Sequence, residues 1–368
     1  MAHYLITGGA GFIGRHLCNE LTTAGHRVRI LDSLIESAHD QEPVPGLSAD
    51  EFIHGDVRDP ETVEEALDGV NGVFHLAAEV GVGQSMYEIE RYVSANDLGT
   101  AVLMQRLIES NVRRVVVASS MSVYGEGLYR RADGGAVEGV RRSPAALRDG
   151  LWDLVGQDGT ALRPVATHEE KCPDISSVYA LTKFNQEKLT LMLSATYGIE
   201  AVALRLFNVF GPGQNLSNPY TGVLAVFAGR LLNGEAPMIF EDGRQLRDFV
   251  HVQDVARAFH LAMEQPGLAG EVINIGSGNS CTIESAGRLL AEAMGRSDLQ
   301  PWTSGKARAG DVRHCFADIA KARDRLGFEP HHQLEDSLPQ LVDWISSQRI
   351  RDRVRHGVRA LEASSISA

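Results

Sequence analysis

Tyr179 and Lys183 stand four residues apart in the string SSVYALTKFNQEKL. On a helix this spacing puts both side chains on one face. An ammonium beside a phenol lowers the phenol's pKa, so the phenolate can act as a base near neutral pH. By spacing alone, an incidental helix pair is the commoner case. Ser120 shifts that balance. It follows the apolar run VRRVVVA, at the strand edge where ligands bind in parallel sheets. Its hydroxyl can hydrogen-bond a substrate oxygen shared with Tyr179. A loop serine on its own is usually a turn former, so Ser120 gains its weight from the combination.

A second constellation opens the chain. TGGAGFIG (7–14) lies between a first apolar strand and a first helix, and Gly8, Gly11 and Gly14 form a G-x-x-G-x-x-G. Such glycines permit a tight turn and let the backbone approach a pyrophosphate, while the helix N-terminus supplies free N–H donors and a partial positive charge. A Gly-rich turn that only lets helix and strand pack is the plain alternative. Asp32 ends the second strand, 21 residues after Gly11, where an acid should meet the adenosine ribose hydroxyls. A carboxylate there repels a 2′-phosphate, so the pair favours NAD over NADP. Asp56 and Val57, after the third strand, are placed to hold the adenine edge, although Asp56 alone reads as a turn residue.

These residues need a scaffold, and the apolar pattern supplies one. Short runs recur at Tyr4–Ile6, Val28–Leu31, Glu51–Ile53, Val73–Leu76, Val115–Ala118, Val202–Leu206 and Val272–Ile275. Helix-length amphipathic segments lie between most of them, at 12–25, 61–69, 97–111 and 178–197. The alternation predicts an α/β fold, a Rossmann-type doubly wound parallel sheet covered on both faces. After residue 208 the pattern loosens into the turn-rich GPGQNLSNPYTG (211–222) and helices near 221–233, 251–265 and 282–295. The expected division is an NAD-binding domain over 1–208, a smaller C-terminal substrate domain over 209–345, and a tail over 346–368. The strand 272–275 is placed to return to the first sheet. Residues 126–171 form an irregular insert with Arg130, Arg131, Arg141 and Arg142, and unstructured stretches of that length are usually functional or disordered.

Composition narrows the class. The 368 residues carry 35 Lys+Arg against 48 Asp+Glu, a net charge of −13, which argues against wrapping nucleic acid or sitting on an anionic membrane. Cys18, Cys172, Cys281 and Cys315 are far apart, with no CxxC or Cys/His cluster from which a zinc site could be read. Scattered cysteines of this kind look like free thiols in a reducing compartment. No apolar run reaches membrane-spanning length and no secretory signal is legible, so a cytoplasmic location is expected.

Together TGGAGFIG, Asp32, Gly55-Asp56-Val57, HLAA (75–78), SSMSVYG (119–125), YALTK (179–183), LRLFNVFGPGQ (204–214) and RDFVHVQD (247–254) resemble the extended short-chain dehydrogenases. More narrowly they resemble the nucleotide-sugar epimerases and dehydratases, over about residues 1–345. The resemblance implies Tyr179 as catalytic acid/base. It implies Lys183 on the nicotinamide ribose, tuning Tyr179, and Ser120 on the reacting sugar oxygen. Gly8, Gly11, Phe12, Ile13, Gly14, Asp32, Asp56, Val57, Leu76, Ala77 and Ala78 would line the cofactor, and Asn96, in YVSANDLGT, would support the active-site helix and cofactor. Asn208, Arg247, Arg308 and Asp311 match positions that hold the diphosphate and nucleoside ribose. Phe240 is a candidate to stack on the base, and a core Phe is an equally good reading.

Dehydratases of the family carry an acidic pair after the hydroxyl residue of this motif, and decarboxylases usually keep a Glu. Here Met121 and Ser122 follow Ser120, and neither can move a proton at carbon. The remaining chemistry is NAD-dependent epimerisation at the 4-position of a nucleotide-diphosphate sugar, through a transient 4-keto intermediate. The wording of SSMSVYGEGLYR, SVYALTK and NPYTG resembles dTDP-L-rhamnose 4-epimerase-type enzymes, with UDP-glucose 4-epimerase-type enzymes as the wider comparison. The substrate is therefore expected to be a dTDP- or UDP-sugar. The insert lies between Ser120 and Tyr179, where it could roof the sugar. Family members commonly dimerise through helices equivalent to 97–111 and 178–197, so a homodimer is expected. The alternatives are an NAD-dependent nucleotide-sugar reductase or dehydrogenase, and a non-catalytic nucleotide sensor that would have lost Ser120, Tyr179 or Lys183.

Overall fold

Strands without polar alternation must be buried on both faces, and the computed structural model arranges them accordingly. It describes residues 1–35, 47–216, 222–307 and 311–347; Arg308, residues 217–221 and the tail beyond Ser347 lie outside these. In chain order the main elements are β1 (His3–Thr7), α1 (Phe12–Thr23), β2 (Arg27–Asp32), β3 (Glu51–His54), α2 (Pro60–Leu67), β4 (Gly72–His75), α3 (Gly99–Glu109), β5 (Arg114–Ser120), α4 (Val178–Tyr197) and β6 (Glu200–Leu206). There follow α5 (Val223–Leu232), α6 (Val252–Glu264), β7 (Glu271–Ile275), α7 (Ile283–Ala293) and α8 (Leu334–Ser347).

The seven strands form one parallel sheet in the order β7-β6-β5-β4-β1-β2-β3. The order reverses between β1 and β4, which opens a crevice beyond the carboxyl ends of the strands. Leu17, Leu21, Phe74, Phe259 and Ile273 fill one face of the sheet beneath α1 and α6. Leu5, Leu31, Val63, Leu103, Leu107 and Val115 fill the other beneath α2 and α3. Helix ends follow local chemistry. Asp59 caps α2 with Pro60 in its first turn, the Ser177 hydroxyl accepts from Ala180 N at 3.1 Å to start α4, and Gly198 at φ +68° ends it.

The chain leaves this sheet at residue 208, where Asn208–Phe210 pairs with Phe249–His251, and later comes back to it. α6 packs on the sheet side and β7 pairs with β6, so residues 252–275 return to it. A separate core holds α5, α7 and α8 together through Phe227, Leu231, Leu290, Leu338 and Leu341. The expected helix 97–111 begins earlier, as a π-helical turn Val93–Leu98 running into α3. The insert is ordered. Leu128–Arg130 pairs antiparallel with Ala136–Val137 and with Arg163–Val165, over a small core of Tyr129, Leu154 and Leu162. Among the described residues, no helix is long and apolar enough to cross a membrane.

Candidate active site

A cleft of about 1460 Å³ runs along the carboxyl ends of the strands. It exceeds the roughly 300–1,000 Å³ of an ordinary small-molecule site and has room for two elongated ligands end to end. Gly8, Gly11, Phe12, Ile13, Gly14, Asp32, Asp56, Val57, Leu76, Ala77 and Ala78 all line one half of it. Gly8 has φ +70°, and a Cβ there would stand 2.7 Å from Ala77 N; a Cβ on Gly14 would stand 2.5 Å from Gly9 Cα. Gly11 is different, for a Cβ there meets only Gly8 O, at 3.2 Å. Two of the glycines therefore serve backbone packing, and at the third a Cβ would crowd only the Gly8 carbonyl, where α1 presents its first N–H groups. The buried Asp32 carboxylate accepts from Ala10 N at 3.0 Å and from Leu34 N at 2.9 Å, which fixes it at the rim of this loop. The backbone approach, the helix terminus and an acid at the loop's rim fit a dinucleotide.

Ser120, Tyr179 and Lys183 all line this cleft, and Ser120 is hydrogen-bonded to Tyr179. Ser120 is the last residue of β5, while Tyr179 and Lys183 lie in the first two turns of α4. Burial pushes the Tyr179 phenol up, and hydrogen bonding with Ser120 opposes that. The expected depression of Tyr179 by Lys183 is not what this geometry gives. Lys183 Nζ donates instead to Gln186 Oε1 at 2.7 Å, one turn along the same helix. Burial lowers the Lys183 ammonium to about 7, with the Glu187 charge opposing. Gln186 Nε2 in turn donates to Thr100 Oγ1 at 2.9 Å, and His75 sits between Thr7 Oγ1 at 2.8 Å and Thr100 Oγ1 at 2.9 Å. Burial holds His75 at about 3, so it is neutral at ordinary pH. Asn96 does not line the cleft. It is fully buried, accepts from Glu79 N at 2.7 Å and donates to Thr182 Oγ1 at 2.9 Å, which fastens the β4 loop to α4.

The other half of the cleft is walled by Asn208, Phe240, Arg247 and Asp311. The Asn208 side-chain oxygen is buried with no partner among the described residues, as a group awaiting a ligand would be. Arg247 Nη1 donates to Arg313 O at 3.0 Å and Nη2 to Val312 O, with Asp311 Oδ1 3.9 Å away. Met121 and Ser122 also face the cleft, and Ser122 Oγ is buried without a partner among the described residues.

The insert does not roof the sugar, because none of residues 126–171 lines the cleft. Two of its charged side chains reach other segments instead: Arg142 pairs with Glu241, and Asp153 pairs with Arg313, which also holds Asp242. Three supports went unread in the sequence. Gln186 could have been found, since it lies one helical turn beyond Lys183. The buried Arg205–Glu187 pair beneath Ser119 joins a strand and a helix 18 residues apart, and the cluster around Arg313 joins four distant segments. Neither has a local pattern.

The model of the NAD dependent epimerase/dehydratase family matches residues 4–142 and 154–276, leaving 143–153 unmatched within that span. The chain is 34% identical over 350 residues to the dTDP-L-rhamnose 4-epimerase of Burkholderia thailandensis, covering 94% of this chain and 95% of that one. It superposes with a TM-score of 0.77 on the UDP-glucose 4-epimerase of Thermotoga maritima, solved with UDP-glucose, at 32% identity over 94% of this chain and 98% of that one. It superposes equally, at 0.77, on the UDP-glucuronic acid 4-epimerase of Bacillus cereus, solved with UDP-glucuronic acid and NAD, at 27% identity over 94% of this chain and 99% of that one.

Proposed function

This chain belongs to the NAD dependent epimerase/dehydratase family, and from that premise we propose the following assignment of roles. The protein is an isomerase that inverts the 4-position of a nucleotide-diphosphate sugar with NAD as cofactor. The observation that supports the residue roles is one cleft lined by Ser120, Tyr179 and Lys183 together with the glycine loop and with Asn208, Arg247 and Asp311. NAD, when bound, supplies a hydride acceptor and donor at the sugar's C4. Tyr179 takes the proton from the 4-hydroxyl and returns it once the 4-keto sugar has presented its other face. Ser120 holds the same oxygen. Lys183 turns from Gln186 toward the nicotinamide ribose and keeps positive charge near the phenol. Asp32 and Asp56 orient the adenosine end, while Asn208, Arg247, Asp311 and Phe240 hold the nucleotide of the sugar donor. Met121 and Ser122 provide no acid or base at carbon, so water is not eliminated.

The substrate is a dTDP- or UDP-sugar, as in the relatives named above. The NAD-binding unit comprises residues 1–208 with the returning 252–275, and the substrate unit comprises most of 209–345. Leu98 at 51%, Leu181 at 44% and Met192 at 59% exposure leave an apolar face on the Val93–Leu98 turn and α4, which supports a homodimer through these helices. The unpaired cysteines support a reducing, cytoplasmic setting.

The deciding experiment incubates the purified protein with dTDP-, UDP- and GDP-sugars without added dinucleotide. The expected result is a second peak of equal mass with no net NADH. Net NADH production would indicate a dehydrogenase, and an inert panel would overturn the assignment.

A further inference from the structure

Residues 143–153, the segment the family model passes over, are tied at both ends to the substrate half of the cleft. At one end the nearly buried Arg142 guanidinium pairs with Glu241 and lies 3.5 Å from Glu126 Oε1. Its Nη2 donates to the Asp311 carbonyl at 2.7 Å. At the other end Asp153 Oδ1 accepts from Arg313 Nε at 2.9 Å and from Nη2 at 2.8 Å. Arg313 is fully buried and continues to Glu241 Oε2 at 3.0 Å and Asp242 Oδ1 at 2.5 Å. Glu241 has φ +55°, a conformation that an L side chain holds only where its surroundings impose it. Both arginines hold its carboxylate, while its backbone bonds to Lys306 O and Gly305 N.

The consequence lies one residue away. Phe240 precedes Glu241 and faces the cleft, as do Asp311, whose carbonyl Arg142 holds, and Val312, whose carbonyl Arg247 holds. The insert lines none of the cleft, yet it holds the Asp311 carbonyl and the Glu241 carboxylate in the two segments that wall it. We propose that Arg142 and Asp153 are positioning residues: the inserted segment clamps the nucleotide-holding wall and so sets affinity for the nucleoside diphosphate part of the substrate. This rests on the substrate-side assignment above. Arg142 and Asp153 bond to groups other than Tyr179, so the inference separates binding from chemistry.

The test uses the NAD-loaded enzyme with Arg142→Ala, Arg142→Lys and Asp153→Ala, reading NAD content, kcat, KM for the sugar it converts, and calorimetric Kd for UDP and for dTDP. Losing a charged, buried hydrogen bond should raise KM and Kd by about tenfold or more in Arg142→Ala, with kcat within about threefold and NAD content unchanged. Arg142→Lys keeps the charge but has one nitrogen for two partners, so it should fall between that variant and wild type. Asp153 is 67% exposed in its side chain, so Asp153→Ala should fold normally and raise KM by only about threefold. If Arg142→Ala does not fold, the other two variants carry the test. An unchanged KM and Kd in folded Arg142→Lys and Asp153→Ala, or a fall in kcat alone, overturns the clamp. Wild type that binds neither UDP nor dTDP overturns the underlying assignment instead.

Discussion

The two halves of the cleft are held in place by different forces. The cofactor half is built from backbone: strand ends from one parallel sheet, glycines that let β4 and α1 approach, and apolar cores on both faces of the sheet. The substrate half is built from charge. Arg142, Arg247 and Arg313 reach across from three segments to hold Glu241, Asp242, Asp311 and Val312. Backbone packing tolerates many side chains and binds a constant ligand. Buried ion pairs tolerate few changes, because removing one partner strands the other. The contrast matches a division of labour in which NAD is common to the family and the nucleotide sugar is not.

The largest expected effect lies at the seam and should disturb neither half. Tyr179→Phe keeps the ring and its packing and removes the titrating hydroxyl. General acid–base catalysis contributes about 10²–10⁴-fold, so turnover should fall by at least about a hundredfold while NAD content and nucleotide affinity hold. Retention of more than about a tenth of the rate would remove Tyr179 from the proton path. Ser120→Ala should cost less, since it removes one hydrogen bond and leaves the proton carrier.

The next effect probes a buried ion pair beneath the cofactor half. Glu187 is fully buried, holds Arg205 through two hydrogen bonds of 2.9 and 2.7 Å, and accepts from Ser119 Oγ at 2.8 Å. Glu187→Ala leaves the Arg205 guanidinium uncompensated and should cost about 3–5 kcal/mol in urea unfolding. Replacing both partners by apolar residues of similar volume should recover most of that loss. A single variant as stable as wild type would show that the sheet alone holds this half.

This difference also decided what could be read in the chain. Glycine spacing, the strand-end Asp32 and the Tyr179–Lys183 pair are local signals imposed by one ligand and one helix. The sequence therefore picked out single residues that the structure places along one cleft, Asn96 excepted. Asn208, Arg247 and Asp311 were reached through motif resemblance, and the structure brings them to one wall. The clamp was not legible. Its members are scattered from 126 to 313, and Arg142 looks the same in sequence as the exposed Arg141 beside it. The insert looked irregular because its strands are two or three residues long, too short for a periodic pattern.

Acid should weaken both halves, with the substrate half contributing more buried imidazoles. Burial lowers His75 to about 3 on the sheet side, and His251 and His314 to about 4 on the substrate side. Folded values below the unfolded value near 6.5 mean that the unfolded chain takes up protons first. Their stabilisation is complete above that pH and is lost as pH falls toward about 4. At pH 5 each imidazole should have withdrawn about 2 kcal/mol. Urea midpoints that are flat between pH 7 and 5 would show that these imidazoles are protonated in the folded protein.

The smallest effect separates two carboxylates that line the same cleft and are both proposed to hold the adenosine end. Asp32 is buried and its two oxygens are aimed by the backbone of Ala10 and Leu34. A hydrogen bond to such a charge is worth about 1.5–3 kcal/mol, so Asp32→Ala should weaken NAD binding by about 10- to 150-fold. Asp56 is partly exposed, and Arg58 already occupies both its oxygens, with Nε 2.9 Å from Oδ1 and Nη2 2.5 Å from Oδ2. That ion pair holds the Asp56 carboxyl below the usual carboxylate range. A ligand gains less from an acceptor that is solvated and shared. Asp56→Ala should therefore cost about 0.5–1.5 kcal/mol, or roughly 2- to 10-fold in NAD affinity. Calorimetry on protein stripped of dinucleotide reads both numbers in one series. If Asp56→Ala weakens binding as much as Asp32→Ala, side-chain charge matters as much in the cofactor half as in the substrate half. The contrast between backbone and charge would then fail at the position where it makes its finest distinction.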